Sequence, residues 1–147
     1  MRIVNRKAQY DYTIVDRIEA GIALLGTEVK SLREGHGKLE GAFVRFVDGQ
    51  PVLVNAEIPA YRFSRTEGYD PKRTRKVLLH KKEIVSLASK MDAGRLTLVP
   101  LVLYTIGPRI KLEIGLARGK KQYEKKEKKK REDMKRDLET EFRGKIK

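Results

Sequence analysis

Segments in which apolar and polar residues alternate fill much of the first 117 residues, and they limit the possible folds more than any other feature of the sequence. The first segment is YDYTIVDRIEA (10–20), and further runs cover residues 43–47, 95–106 and 109–117. Alternation with a period of two is typical of β-strands with one buried face. Five or more strands with one or two short helices predict a mainly β fold, a small β-barrel of the oligonucleotide-binding type, with a β-sandwich as the alternative.

Turn residues and prolines refine this arrangement. Asp48 and Gly49 separate two apolar runs, and this pair favours a hairpin with a type I′ turn. Pro51 has no amide hydrogen, so its strand is expected to begin at an edge or outside the ladder of hydrogen bonds. Pro100 predicts a bulge or an edge in a later strand.

The stretch GIALLGTEVKSLREG (21–35) predicts the end of a strand followed by a short helix. Residues 22–25 form an apolar run that would continue the first strand, and Thr27 is a suitable N-cap. Glu28 falls in the first turn of this helix, where a carboxylate is favourable, so one interpretation is that it only stabilises the helix start. Gly35 is a plausible stop signal.

Residues 59–76, PAYRFSRTEGYDPKRTRK, have no sustained period and predict a long exposed loop. Tyr61, Phe63 and Tyr69 lie among the six basic residues of this segment and could stack on unpaired bases. Beyond it, helical spacing predicts a helix over residues 81–92, with His80 at its start and Gly94 as its stop.

The chain has a formal net charge of +14 over 147 residues, and nucleic acid is the polyanion that best answers such a charge; an anionic membrane or an acidic protein is the alternative. The chain lacks cysteine, which excludes disulfides and thiolate zinc sites. Neither histidine has the spacing of a metal site, and no catalytic set is recognisable. We therefore expect no metal, no cofactor, no enzymatic activity and, without an apolar run of ~20 residues, a cytoplasmic protein.

A basic tail follows the predicted barrel. Residues 120–147 hold 13 Lys or Arg and 7 Asp or Glu, with few apolar residues. Such a composition cannot bury enough surface to fold alone. Met134, Leu138 and Phe142 are nevertheless four residues apart, as along one helical stripe. The sequence thus predicts an RNA-binding domain over residues 1–119 and a tail that is disordered when free and becomes helical against a partner.

Four segments carry a resemblance to a known family. They are NRKA (5–8), AGIALLGTEVKSLREG (20–35), YDPKRTRKVLLHKKEI (69–84) and GLARGKKQYEKK (115–126). In this order and wording they resemble the SsrA-binding protein family, also called small protein B, of bacterial trans-translation. The resemblance implies an oligonucleotide-binding-type barrel with flanking helices.

The resemblance also implies a function. A member of this family binds the tRNA-like domain of transfer-messenger RNA and delivers this RNA to stalled ribosomes for rescue and tagging of nascent chains. Its tail contacts small-subunit RNA in the decoding centre and the empty messenger channel, and elongation factor Tu joins the same complex through the RNA. From the residues alone, a general ribosome-associated or ribosomal RNA-binding protein is the main alternative, and a peptidyl-tRNA hydrolase is the second.

Individual residues follow from the basic clusters and the resemblance. By the resemblance, Glu28 in TEVKS matches the family's RNA-contacting glutamate. A carboxylate can accept hydrogen bonds from the exposed N–H groups of an unpaired guanine, which gives this charge a physical reason. The predicted RNA-binding residues are Asn5, Arg6, Lys7, Glu28, Lys30, Arg33, Lys72, Arg73, Arg75, Lys76, Lys81, Arg118, Lys120 and Lys121. The predicted ribosome-contacting residues of the tail are Tyr123, Glu124, Lys125, Lys126, Lys128, Lys129, Arg131, Met134 and Leu138.

Two tail positions depart from the family pattern. The family often has Asp-Lys-Arg where this chain has Glu124, Lys125 and Lys126. The charge signs agree, but the planar fork that arginine offers for bidentate contacts is lost at Lys126. Tyr123 stands where a histidine is common, which keeps a stacking role and removes proton transfer.

Overall fold

The computed structural model describes residues 1–119, so every prediction about the tail lies outside the described part. Three helices and seven strands follow one another in this part. They are β1 (Arg2–Val4), α1 (Arg6–Asp11), β2 (Tyr12–Ile22), α2 (Gly26–Arg33), β3 (Phe43–Val47), β4 (Gln50–Val54), β5 (Arg75–Leu78), α3 (Lys81–Gly94), β6 (Thr97–Ile106) and β7 (Arg109–Gly119).

The strands close into a ring. Their order is β1-β6-β3-β4-β5-β2-β7, and all pairs are antiparallel. A further pairing between β7 and β6 closes the ring. Six strands thus form the barrel, and β1 pairs with the far end of β6. This arrangement confirms the predicted small β-barrel. Closure also removes the free edges that an open sheet would expose.

Apolar side chains fill the barrel, and two helices cover it. Leu53, Leu98 and Leu112 are fully buried in the main core, which also takes in Leu32 of α2 and Leu87 of α3. Helix α1 packs elsewhere: Ala8 joins a smaller cluster with Val99, Leu101, Val102 and Ala117. The helices therefore lie on the barrel at separate places, and each brings its own polar face to the surface.

Several sequence predictions are confirmed. Asp48 and Gly49 have φ angles of 51° and 79°, as both central residues of a type I′ turn require. Pro100 precedes a register shift between β6 and β7, which is the predicted bulge. His80 is the N-cap of α3, and its backbone N–H donates to the Glu83 carboxylate at 3.0 Å. Gly35 follows α2 with a φ of 83°.

Other boundaries differ from the predictions. Residues 10–11 are helical because Asn5 caps α1: its Oδ1 accepts from the Ala8 N–H at 3.1 Å. Residues 23–25 leave the strand, and Leu25, not Thr27, is the N-cap of α2. The last two residues of the predicted loop 59–76 belong to β5.

Two further predictions are only partly right. Pro51 pairs with Phe46 in β4, which lies between β3 and β5, so the predicted edge position is wrong. The ladder between β4 and β5 begins at Val52, so Pro51 does lie outside that ladder, as the other alternative predicts. The Gln50 side-chain amide donates to Val77 O at 2.9 Å near the missing N–H of Pro51. Gly94 is still helical, and Arg95 takes the left-handed cap with a φ of 50°. Within residues 1–119, no helix is long and apolar enough to cross a membrane.

Asn5 links α1 to two other parts of the chain, so its replacement should lower stability. Its Nδ2 donates to Pro100 O at 2.8 Å and to Leu39 O at 3.2 Å. Asn5→Ala removes the cap and two buried hydrogen bonds to backbone carbonyls, and we expect the free energy of unfolding to fall by about 1–3 kcal/mol. Urea unfolding measures this change. Thr13→Ala, at an exposed position, is the control and should change stability little; an equal loss in both variants would contradict the assignment.

Candidate nucleic-acid interface

Glu28 stands at the centre of the candidate site and completes the N-terminus of α2. Its Oε1 accepts a hydrogen bond from the backbone N–H of Leu25 at 2.8 Å, three residues earlier. This contact satisfies a donor that the helix itself leaves unpaired. The structure therefore confirms that Glu28 stabilises the helix start, and it also shows that this is only part of its role.

Two arginines hold the same carboxylate. Arg73 donates from Nη2 to Oε1 at 2.5 Å, and Arg75 donates from Nε to Oε2 at 2.8 Å, with its Nη2 2.6 Å from Oε2. The remaining donors of Arg75 reach Ala56 O at 2.7 Å and Pro71 O at 3.0 Å. The side chains of Glu28 and Arg75 are fully buried, whereas that of Arg73 is 34% exposed. We call Glu28, Tyr69, Arg73 and Arg75 the Glu28 cluster.

Tyr69 is the fourth member of the cluster. Its hydroxyl oxygen lies 2.7 Å from Ile58 O and 3.0 Å from Glu28 Oε2, and it accepts from Arg75 Nη2 at 3.2 Å. Burial and the Glu28 carboxylate raise the pKa of Tyr69, against a smaller opposing effect of Arg75. The ring is half-buried and its hydroxyl is engaged, so Tyr69 serves the cluster and is not a free stacking surface for bases.

The ion pairs outweigh the cost of burying the Glu28 carboxylate. Burial raises its pKa, but the hydrogen bonds from Arg73, Leu25 and Arg75 and the charge of Arg75 lower it more, and the pKa falls to about 2. The carboxylate is therefore ionised at neutral pH. Each of its oxygens already accepts at least two hydrogen bonds or ion-pair contacts, so little acceptor capacity is left for another ligand.

The register of β5 explains why an arginine lies inside the barrel domain. Arg75 and Val77 face inward while Lys76 and Leu78 face outward, as alternation along a strand requires. Arg75 pairs with Leu53 of β4 in the ladder. A buried guanidinium needs a buried anion, and within residues 1–119 Glu28, in the first turn of α2, is the buried acid that supplies it.

Three predicted RNA contacts are corrected by this geometry. Asn5, Glu28 and Arg75 are at most 2% exposed, and their polar groups bond within the chain. Asn5 ties α1 to the barrel, and Glu28 and Arg75 hold the Glu28 cluster together. Their buried side chains leave almost no surface for an RNA in this structure. The sequence could not show this, because the partners that bury Glu28 lie 45 and 47 residues away.

The remaining predicted cations of the described part lie at the surface, in several places. Lys30 and Arg33 are on α2, beside the Glu28 cluster, and Arg33 donates to Pro108 O at 2.9 Å. Arg118 pairs with Thr13, directly after α1. The other exposed cations are Arg6 and Lys7 on α1, Lys72 before β5, Lys76 on the outer face of β5 and Lys81 at the start of α3. Lys120 and Lys121 lie outside the described residues.

The predicted RNA-binding residues did not include Tyr61 and Arg62, which lie on this surface. The Lys30 ammonium lies 5.5 Å from the centroid of the Tyr61 ring, and Arg62 lies 3.6 Å from the Glu34 carboxylate. The segment that carries them is tied to α2, since Ser31 Oγ donates to Pro59 O at 2.7 Å. The interleaved aromatic and basic residues of 59–69 were the available signal. In residues 1–119 no group of three or more His, Cys, Asp or Glu could hold a metal ion.

The pKa of Glu28 predicts an acid-sensitive fold. Its folded pKa of about 2 lies below the ordinary value of 4.5, so its contribution to stability is present above about pH 4.5 and is lost as the pH falls toward 2. Glu28→Gln should flatten the fall in unfolding free energy over this interval. At neutral pH it should cost about 3–5 kcal/mol, because Arg75 keeps a buried charge without its anion. Urea unfolding from pH 2 to 7 measures both effects.

The control for this prediction is Glu113→Gln. Glu113 pairs with Arg17 at 2.7 Å, and both side chains are partly exposed. A surface pair of this kind contributes about 0–1 kcal/mol. If Glu28→Gln were no more destabilising than Glu113→Gln, the central role of the Glu28 cluster would be wrong.

Comparison with known proteins places this architecture in one family. The family model described as SmpB protein matches residues 2–144. An SsrA-binding protein of Sulfurihydrogenibium sp. (strain YO3AOP1) is 50% identical over 143 residues, which cover 97% of this chain and 94% of that protein. An SsrA-binding protein of Corynebacterium efficiens is 49% identical over 97% of this chain and 87% of that protein.

A solved structure gives the same result. It is described as "tmRNA-SmpB: a journey to the center of the bacterial ribosome", and the matching chain is 48% identical, with a TM-score of 0.67 over 82% of this chain and 85% of that chain. Both the sequence and the barrel therefore agree with the resemblance that the four segments carry. Because the family model spans nearly all of its residues and close relatives match almost end to end, the chain belongs to the SmpB protein family.

Proposed function

We propose that this chain is an RNA-binding adaptor of trans-translation, which binds the tRNA-like domain of transfer-messenger RNA and delivers it to stalled ribosomes. The observation that carries the proposal is the family match over residues 2–144, together with a 50% identical relative named SsrA-binding protein. The 48% identical chain of the tmRNA-SmpB structure supports the same partners. In this role the protein positions an RNA and carries out no reaction itself.

The geometry supports an RNA-binding role for the surface around α2. Glu28 is the acidic residue of the first turn, and two arginines neutralise it inside the protein. The outer side of this region therefore presents Lys30, Arg33 and Lys72, with the part-exposed Arg73. Cations held on a closed barrel neutralise phosphates, which supplies much of the affinity of any RNA-binding protein.

In this proposal Glu28 acts on the RNA through other residues. It fixes the start of α2, which carries Lys30 and Arg33, and it holds the Arg73 guanidinium. The Nε of Arg73 is buried without a hydrogen-bond partner among the described residues, so Glu28 supplies the main contact that orients this side chain. Glu28 is thus a positioning residue, and Arg73 is the member of the cluster that reaches the surface.

The ribosomal part of the proposal concerns the tail. We assign the tail from Tyr123 onward to contacts with small-subunit RNA in the decoding centre and messenger channel, and Lys120 and Lys121, at the junction to the barrel, to the binding of transfer-messenger RNA. The high positive charge of residues 120–147 supports these assignments. Elongation factor Tu in the same complex, through the RNA, stays a prediction from the resemblance.

A competition experiment tests RNA recognition. The protein is mixed at physiological salt with a labelled transcript of the tRNA-like domain and increasing amounts of unlabelled bulk tRNA. Non-specific phosphate binding weakens at this salt concentration, whereas specific binding persists. We expect the transcript to stay bound at a large excess of tRNA. Equal affinity for the two RNAs would favour a general RNA-binding protein.

Removal of one surface cation should weaken binding and its salt dependence together. Lys30→Gln removes one cation at the proposed interface, so the slope of log affinity against log salt concentration should fall by about 1. Arg45→Gln, on the exposed face of β3, is the matched control and should leave the slope unchanged. Filter binding of the tRNA-like domain transcript at four or more salt concentrations measures the slope, and equal effects of both variants would argue against an interface at α2.

Deletion of residues 124–147 should separate the two functions of the chain. The barrel core is built within residues 1–119, so the truncated protein should keep its cooperative unfolding and most of its affinity for the tRNA-like domain. Tagging of nascent chains on stalled ribosomes should stop, because the tail is absent. Circular dichroism melting, RNA binding and a reconstituted tagging assay measure the three properties. Unfolding of the truncated barrel would show that the boundary between domain and tail is wrong.

A further inference from the structure

One exposed aromatic residue stands out on the loop beside α2. Phe63 is 73% exposed, the largest exposed fraction among the large apolar residues that the described part leaves at the surface. Single exposed apolar residues are common on proteins and need no explanation by themselves. The surroundings of Phe63 are what set it apart.

Aromatic rings and cations surround this side chain. The Tyr61 ring packs edge-to-face against it, with centroids 5.5 Å apart and planes at 72°. The Arg62 guanidinium lies 4.7 Å from the Phe63 centroid, and the Lys30 ammonium lies 5.5 Å from the Tyr61 centroid. We call Lys30, Tyr61, Arg62 and Phe63 the Phe63 patch.

The patch sits on a loop that is held in place. Tyr61 O accepts two hydrogen bonds from Ser64, from its N–H at 2.9 Å and its Oγ at 2.8 Å. Ser31 of α2 binds Pro59 O, and Tyr69 of the Glu28 cluster binds Ile58 O. Both ends of the segment that carries Phe63 are therefore fixed to α2, one through Ser31 and the other through the contact of Tyr69 with Glu28. A preorganised surface loses less entropy when a ligand binds.

The charge of the surroundings identifies the kind of partner. Lys30, Arg62 and Arg65 are exposed around the rings, and the acids nearby are Glu34, which lies 3.6 Å from Arg62, and Glu67. An apolar protein partner would have to desolvate these cations. A nucleic acid can bind the aromatic rings and the cations together. Bases stack on aromatic rings and phosphates pair with cations.

We propose that an unpaired base of the tRNA-like domain stacks on Phe63, while Lys30 and Arg62 neutralise the phosphates on either side of it. This inference rests on the proposed function. The base must be unpaired, because a base inside a duplex has no free face for stacking. The patch thus adds a contact that recognises a looped-out nucleotide to the phosphate contacts of α2.

A fluorescence experiment tests the stacking directly. The chain contains no tryptophan, so Phe63→Trp places a single indole at the proposed contact. Addition of the tRNA-like domain transcript should quench its emission to a plateau at one RNA per protein, because a stacked base is in van der Waals contact with the ring. Val47→Trp, at an exposed position of the β3–β4 hairpin, is the control and should show little quenching at the same saturation.

Affinity provides the second measurement. Phe63→Ala should weaken binding of the transcript by about 5- to 150-fold, the range for the loss of one base stack. It should leave the salt slope unchanged, since no charge is removed. Phe63→Tyr should restore most of the affinity, and Val47→Ala should bind as the unchanged protein does.

The outcomes separate this inference from the proposed function. One outcome is that the unchanged protein prefers the transcript over bulk tRNA while the affinity of Phe63→Ala for the transcript is within twofold of that of the unchanged protein. In that case the stacking inference is wrong and the proposed function stands. If the unchanged protein shows no such preference, the proposed function fails first. Quenching of Phe63→Trp by small ribosomal subunits but not by the transcript would overturn the assignment of the base to the tRNA-like domain.

Discussion

The buried ion pairs of Glu28 are the interaction on which the rest of this structure depends. A carboxylate with no exposed surface is costly unless charges and hydrogen bonds compensate it, and here Arg73, Arg75 and the Leu25 N–H do so. These contacts join α2 to a distant part of the chain, namely β5 and the segment directly before it. The same anion therefore begins a helix, closes a long loop and neutralises a cation inside the fold.

This arrangement separates the charges that build the site from those that can bind. Glu28 and Arg75 face inward and cancel each other, while Lys30 and Arg33 remain on the outer side of α2. The loop over residues 59–74 is fixed to the same helix through Ser31 and through the contact of Tyr69 with Glu28. An acidic residue in a strongly basic chain thus makes the surface more suitable for RNA, because it organises cations without exposing its own charge.

Much of the fold could be predicted from local patterns. The hairpin at Asp48-Gly49 and the bulge at Pro100 follow from the backbone angles that these residues permit, and both were found. Helix α1 was not predicted because the Asn5 side chain that caps it is held by hydrogen bonds to Pro100 O and Leu39 O, which are remote in sequence. The edge position expected for Pro51 is wrong for a similar reason, since the Gln50 side chain donates to Val77 O of β5; only the position outside the β4–β5 ladder is confirmed.

The sequence by itself determined that the chain is a mainly β protein with a positive surface, because alternation, turn residues and net charge act locally or as sums over the whole chain. Only the tertiary structure decided which charged residues face inward. Arg75 is buried and Lys76 is exposed because β5 pairs in one register, and Glu28 is buried because two arginines 45 and 47 residues later reach it. A contact of that kind depends on the closure of the barrel, and local spacing carries no information about it.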